Sequence, residues 1–112
     1  MNISFDGFDR KVITFNADDD IEIGTPVKIS DRGTVEAADE GEDFIGMVVS
    51  CKNGLVGVCV RGVVEFDCTD ETILPGYNYV ASNGGTEICT GENVMKLVLD
   101  VDTDNSKVTV LL

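Results

Sequence analysis

The sequence predicts an all-β fold: a small β-barrel or sandwich of two pseudo-repeated strand-turn-strand units, preceded by an N-terminal arm. Three observations lead there. Val, Ile and Thr recur in short runs separated by turn residues at barrel-like spacing. No segment keeps a helical apolar period for three turns. The second half of the chain repeats the first.

Residues 1–11 form the arm, with Phe5 and Phe8 set among Asp6, Gly7 and Asp9 and followed by Arg10 and Lys11. Aromatic side chains on a terminal segment can dock on a partner by adding a strand or filling a pocket, so Phe5, Phe8, Arg10 and Lys11 are the candidate contact residues. From Lys11 to Phe15, Val12 and Thr14 alternate with Ile13 and Phe15, as in a strand.

Residues 12–112 then read as one β domain with pseudo-repeats over 21–60 and 73–112. Superposing the chain on itself with Ile21 on Ile73 also places Gly24 on Gly76, Gly33-Thr34 on Gly85-Thr86, Val49 on Val101, Val56 on Val108 and Val58 on Val110. The matches fall on turn glycines and strand valines, the positions that fold geometry constrains. At 112 residues the chain has room for one compact core.

Asp31-Arg32-Gly33, Lys52-Asn53-Gly54-Leu55, Asn83-Gly84-Gly85 and Asp104-Asn105-Ser106 mark turns. Asn53-Gly54 suits a type I′ hairpin, which needs positive φ at both central residues. An unbroken ladder from that turn sets Cys51 opposite Val56, Val49 opposite Val58 and Met47 opposite Val60. It gives a core face of Met47, Val49, Val58 and Val60, matched in the second unit by Leu97, Leu99, Val101, Val108, Val110 and Leu112. Cys51 and Cys59 then point to opposite sides and cannot bridge. Gly62 is expected to bend a long strand before Val63-Val64-Glu65-Phe66.

With 21 acidic and 8 basic residues and a net charge of −13, the surface repels nucleic acid and anionic lipid, so neither is expected as a partner. No apolar run approaches the length of a membrane helix, and Met1 to Lys11 lacks the pattern of a signal peptide, so a cytoplasmic origin is expected. Cys51, Cys59, Cys68 and Cys89 show no Cys-x-x-Cys spacing, and histidine is absent. Buried free thiols are expected rather than a metal site, and no cofactor is implied.

No catalytic residue is assigned. Without histidine, acid-base chemistry needs a perturbed carboxylate, lysine, tyrosine or cysteine, and Asp18-Asp19-Asp20, Asp39-Glu40, Glu42-Asp43 and Asp70-Glu71 read as solvated loop acids. The run Asp100-Val101-Asp102-Thr103-Asp104 begins like a calcium loop, but its sixth position is Asn105 and its twelfth Leu111. The many glycines are spaced by strand lengths, as turn and bulge glycines are, with no phosphate-loop pattern.

Val12-Ile13-Thr14-Phe15, Asp20-Ile21-Glu22-Ile23-Gly24-Thr25-Pro26-Val27, Ile45-Gly46-Met47-Val48 and Arg61-Gly62-Val63-Val64-Glu65 together resemble bacteriophage head decoration proteins of the capsid cement type. The likeness is one of order and spacing, over nearly the whole chain. It implies a non-enzymatic protein that binds the outside of an assembled head and reinforces contacts between major capsid subunits. The expected location is the virion surface after assembly in the host cytoplasm, and a homotrimer is compatible with the pattern. The alternative is a small β-barrel ligand-binding or accessory module of a larger enzyme system.

Overall fold

The computed structural model describes residues 10–112, all-β and without a helix among them. Ten strands follow in chain order: β1 (Lys11–Ala17), β2 (Pro26–Asp31), β3 (Thr34–Ala37), β4 (Gly46–Lys52), β5 (Leu55–Arg61), β6 (Val63–Asp67), β7 (Gly76–Ser82), β8 (Ile88–Thr90), β9 (Val94–Asp102) and β10 (Lys107–Leu111). The first five close into a barrel in the order β1-β3-β2-β4-β5, and the last five form a sheet in the order β6-β10-β9-β7-β8. β1 closes the barrel by pairing antiparallel with β5 and parallel with β3.

Read from the first strand of each unit, both sheets have the same order. The repeat in the architecture therefore takes in β1 and β6, which lie outside the two sequence segments that match. The second sheet lacks a counterpart of the β1–β3 pairing and carries only one parallel bridge there, Asp67 to Glu87.

Both closing hairpins depart from an unbroken ladder. From the Asn53-Gly54 turn, with φ of 53° and 78°, Lys52 pairs with Leu55 and Cys51 with Val56. A bulge at Val49 then moves Val48 opposite Val58 and Met47 opposite Cys59. The expected core face is corrected accordingly: Val48, fully buried, joins Val56 and Val58 inside the barrel, while Met47 and Cys59 are buried on its outer side. The second hairpin is bulged at Leu99, so Val98 faces Val110 and Val101 faces Val108, while Leu97 and Leu111 lie on the outer face. A bulge adds local twist and bend, which a five-stranded barrel needs in order to close. Neither bulge leaves a mark in the alternation of valines.

The two hairpins also fix the strand correspondence. Val48 matches Val98 while Val58 matches Val110, so the units do not superpose without a gap; the slack lies in the turns, Asn53-Gly54 in one and 103–106 in the other.

There are two apolar clusters rather than the single core expected. Ile21, Val27, Val35, Val48, Val56 and Val58 fill the barrel. The second holds Phe66, Ile73, Val80, Ile88, Val98, Val108 and Val110 together with Ala38, Phe44, Met47 and Cys59 from the first unit. A barrel of this size is filled by one inward side chain per strand layer, so its outer face is free to supply part of another core. Phe44 meets Phe66 edge to face at 5.3 Å between ring centres. The loop carrying Ala38 and Phe44 is tied to the end of β7: Ser82 Oγ donates to the Ala38 carbonyl at 2.8 Å, Gly41 N to the Ser82 carbonyl at 2.8 Å, and Ser82 N to the Glu42 carbonyl at 2.9 Å.

Two glycines are required by position. Gly46 lies within β4 rather than in a turn, and is required there because a Cβ would sit 2.2 Å from the Cys59 carbonyl oxygen. Gly62, at φ 133°, makes the expected bend between β5 and β6, and its carbonyl accepts from Leu112 N at 2.8 Å.

Candidate functional site

Of the expected contact residues, Phe5 and Phe8 lie outside the described residues. Arg10 is exposed and passes against Gly62, where an added Cβ would fall 3.2 Å from the Arg10 Cα. Lys11 is not part of an arm but the first residue of β1, paired with Arg61. Arg10, Lys11 and Arg61 thus gather at one exposed corner of an otherwise acidic chain.

Each unit also has a cleft in the same place, between the segment that leaves its first strand and its closing hairpin. The cleft of the first unit, about 220 Å³, runs from Ala17, Asp19 and Asp20 to Cys51, Lys52 and Asn53. That of the second, about 180 Å³, runs from Cys68, Asp70 and Glu71 to Asp102, Thr103 and Lys107. Sequence reading treats the acid runs at 18–20 and 70–71 as unrelated loops; the shared topology makes them counterparts.

Two of the acids around the second cleft, Asp70 and Asp102, hold turns. Asp70 accepts from Thr72 Oγ1 at 2.6 Å, Thr72 N at 2.9 Å and Thr90 N at 2.9 Å, joining the β6–β7 connection to β8. These bonds, the Thr72 hydroxyl first, hold its carboxyl far below the usual carboxylate range. Asp102 accepts from Asn105 N at 3.2 Å and Asn105 Nδ2 at 2.8 Å, which lowers it too. In the calcium-like run, Asp102 is thus a turn bracket and Asp100 a residue of β9. Asp67, which accepts from Lys107 Nζ and from Thr86 Oγ1, and Glu42, paired with Lys28, also shift down, each chiefly through its lysine. A general acid working near neutrality needs the opposite shift.

All four cysteines are free, and Cys51 and Cys59 lie on opposite faces as expected. Burial is only partly as expected: Cys59 and Cys68 are buried, but Cys51 is exposed at the first cleft and Cys89 is half-buried. Cys51 sits beside the hairpin tip, beyond the reach of either core. Burial pushes the Cys68 and Cys89 thiols up, which disfavours the reactive thiolate.

A further surface emerges from the ladder registers. On the outer face of the second sheet Val63, Leu111, Leu97 and Tyr77 form one row across β6, β10, β9 and β7, with Tyr79 and Met95 paired beside it. Tyr77 is 73% exposed, Met95 49% and Tyr79 47%. Toward the 103–106 turn the same face becomes acidic, first as Glu65-Thr109-Asp100 and then as Asp67-Lys107-Asp102. The alternation Tyr77-Asn78-Tyr79 carries a signal for this face, but only the register joins it to Leu97 and Met95.

Comparison with known proteins finds no family model and no curated protein that matches the chain by sequence. Among the described residues no helix is long and apolar enough to cross a membrane.

Proposed function

We propose that the chain is a phage or prophage capsid decoration protein, a non-enzymatic binder of the outer surface of the assembled head that stabilises contacts between major capsid subunits. The supporting observation is the division of labour among its polar residues: Asp70 and Asp102, at the second cleft, are bound into turns, while cations gather where the segment bearing Phe5 and Phe8 joins the body. The order of motifs shared with capsid cement proteins supports the same reading, and the net charge of −13 suits the outside of a shell better than its DNA-filled interior. In this reading the chain joins the head after assembly in the host cytoplasm, alone or as a homotrimer.

The paired clefts favour a second reading, a ligand-binding or accessory module. At about 180 and 220 Å³ they fall short of the ~300–1,000 Å³ usual for small-molecule sites.

Co-sedimentation with purified expanded heads of the cognate phage tests the proposal. The full chain pellets with heads and raises their resistance to heat or chelation, and deleting residues 1–9 abolishes pelleting without changing the circular dichroism of the β body. A full chain that stays in the supernatant refutes the capsid reading; a truncated chain that still pellets removes the N-terminal segment from it.

A further inference from the structure

We propose that the outer face of the second sheet is a docking surface for a protein partner that presents apolar side chains flanked by lysine or arginine. This deepens the reading of the chain as a capsid binder, and rests on it only for the identity of the partner.

The face has two chemically distinct halves. Tyr77, Tyr79, Met95 and Leu97 make an apolar and aromatic half from paired positions on neighbouring strands. Tyrosine and methionine are enriched at the centres of protein interfaces, since they bury a large area at modest entropy cost and the tyrosine hydroxyl stays satisfied by water or partner. The other half carries Glu65, Asp67, Asp100 and Asp102 against one lysine, Lys107, which is already paired with Asp67. A basic group docking there meets carboxylates, and one docking over the tyrosines meets the electron-rich face of a ring.

In the equivalent row of the first unit three of the four places are covered, and the fourth, Val12, is 49% exposed. Val12, Cys59, Met47 and Pro26 occupy the places of Val63, Leu111, Leu97 and Tyr77. Cys59, Met47 and Pro26 are buried, and Cys59 and Met47 belong to the cluster that fills the second sheet. Another copy of the chain cannot cover the second row in the same way, because its own second sheet is already filled by its own Phe44, Met47 and Cys59. Two copies meeting face to face would also bring acidic halves together, each on a chain of net charge −13. Charge complementarity leaves a basic, apolar surface on another protein.

The probes are a synthetic peptide alternating leucine and lysine and a matched peptide alternating leucine and glutamate, each titrated into the full-length chain with amide chemical shifts as readout. The lysine peptide is expected to move the amides of 77–79 and 95–97, and Tyr77→Ser with Leu97→Ser weakens binding by about tenfold, as truncation of an interface anchor does. Glu65→Gln with Asp100→Asn weakens it less and removes its salt dependence. Shifts centred on the clefts or spread over all acids, or equal binding of the glutamate peptide, overturn the proposal. So does a wild-type dimer that Tyr77→Ser dissociates, which makes the occupant a second copy, or movement of the same amides on deleting residues 1–9, which makes it the chain's own N-terminal segment. With heads, a Tyr77→Ser, Leu97→Ser chain that pellets like wild type overturns the face as capsid contact. A wild-type chain that never pellets sinks the capsid reading alone, and the peptide titration still decides the face.

Discussion

The two units share a strand order but complete themselves differently. The first closes on its own, because β1 reaches β3 through Asn16–Thr34 and Ala17–Val35 and shuts the barrel around its valines. The second stops at a single bridge and is filled instead by Phe44, Met47, Ala38 and Cys59 from its neighbour. One architecture can therefore serve as a self-sufficient module and as a dependent one, according to whether its last pairing forms or an outside apolar surface takes its place. The asymmetry also explains why Cys59, Met47 and Pro26 are buried on the first outer row while Tyr77, at the corresponding end of the second, faces solvent.

This comparison is broken most severely by a charge in either core. Val58 and Val110 are both fully buried, and an aspartate at either site has no partner, a cost above about 4 kcal/mol. Val58→Asp is expected to abolish the fold everywhere, since losing the barrel also removes the plug of the second sheet. Val110→Asp should unfold β6–β10 while amide protons of β4 and β5 keep measurable hydrogen-exchange protection. Equal loss of protection in both variants would show that neither unit is self-sufficient.

A milder comparison uses two phenylalanines at corresponding places, Phe15 opposite Val56 and Phe66 opposite Val108. Phe66 is 1% exposed and meets Phe44 edge to face, whereas Phe15 only flanks the barrel cluster. Phe66→Ala is expected to cost about 3–5 kcal/mol and Phe15→Ala about 1–2 kcal/mol in urea unfolding. The reverse order would mean that the barrel, not the junction, carries the stability.

The smallest effect concerns pH. The Asp70 carboxyl is held below its ordinary value by Thr72 and Thr90, so its stabilisation is full above the unfolded carboxylate pKa, about 3.9, and is lost as pH falls through the lower folded value. Asp70→Asn should lower the melting temperature at neutral pH and flatten its fall below about pH 4. An unchanged acid slope would mean that the Thr72 and Thr90 bonds do not persist in solution.

Much of the architecture is legible in residues whose conformation is local. Asn53-Gly54, Gly33 and Gly62 adopt the positive φ that their types permit, and strand β1 lies where Val12 to Phe15 alternate. The repeat, too, is visible because valines and turn glycines answer to geometry that both units share. The expected contact site was legible only in part: Lys11 and Arg61 meet because β1 pairs with β5, which no local feature of either residue announces.

What the sequence alone determined, then, is an acidic, all-β chain built twice, with its turns in place. The tertiary structure decided which side of each strand is inside. A single bulged residue, Val49 or Leu99, reverses the facing of everything beyond it, and bulging answers to the curvature of the closed sheet rather than to the residue itself. It also decided that Met47 and Cys59 belong to the second core and that Tyr77, Leu97 and Met95 form one outer face, because such neighbours are set by long-range pairing between strands distant in the chain.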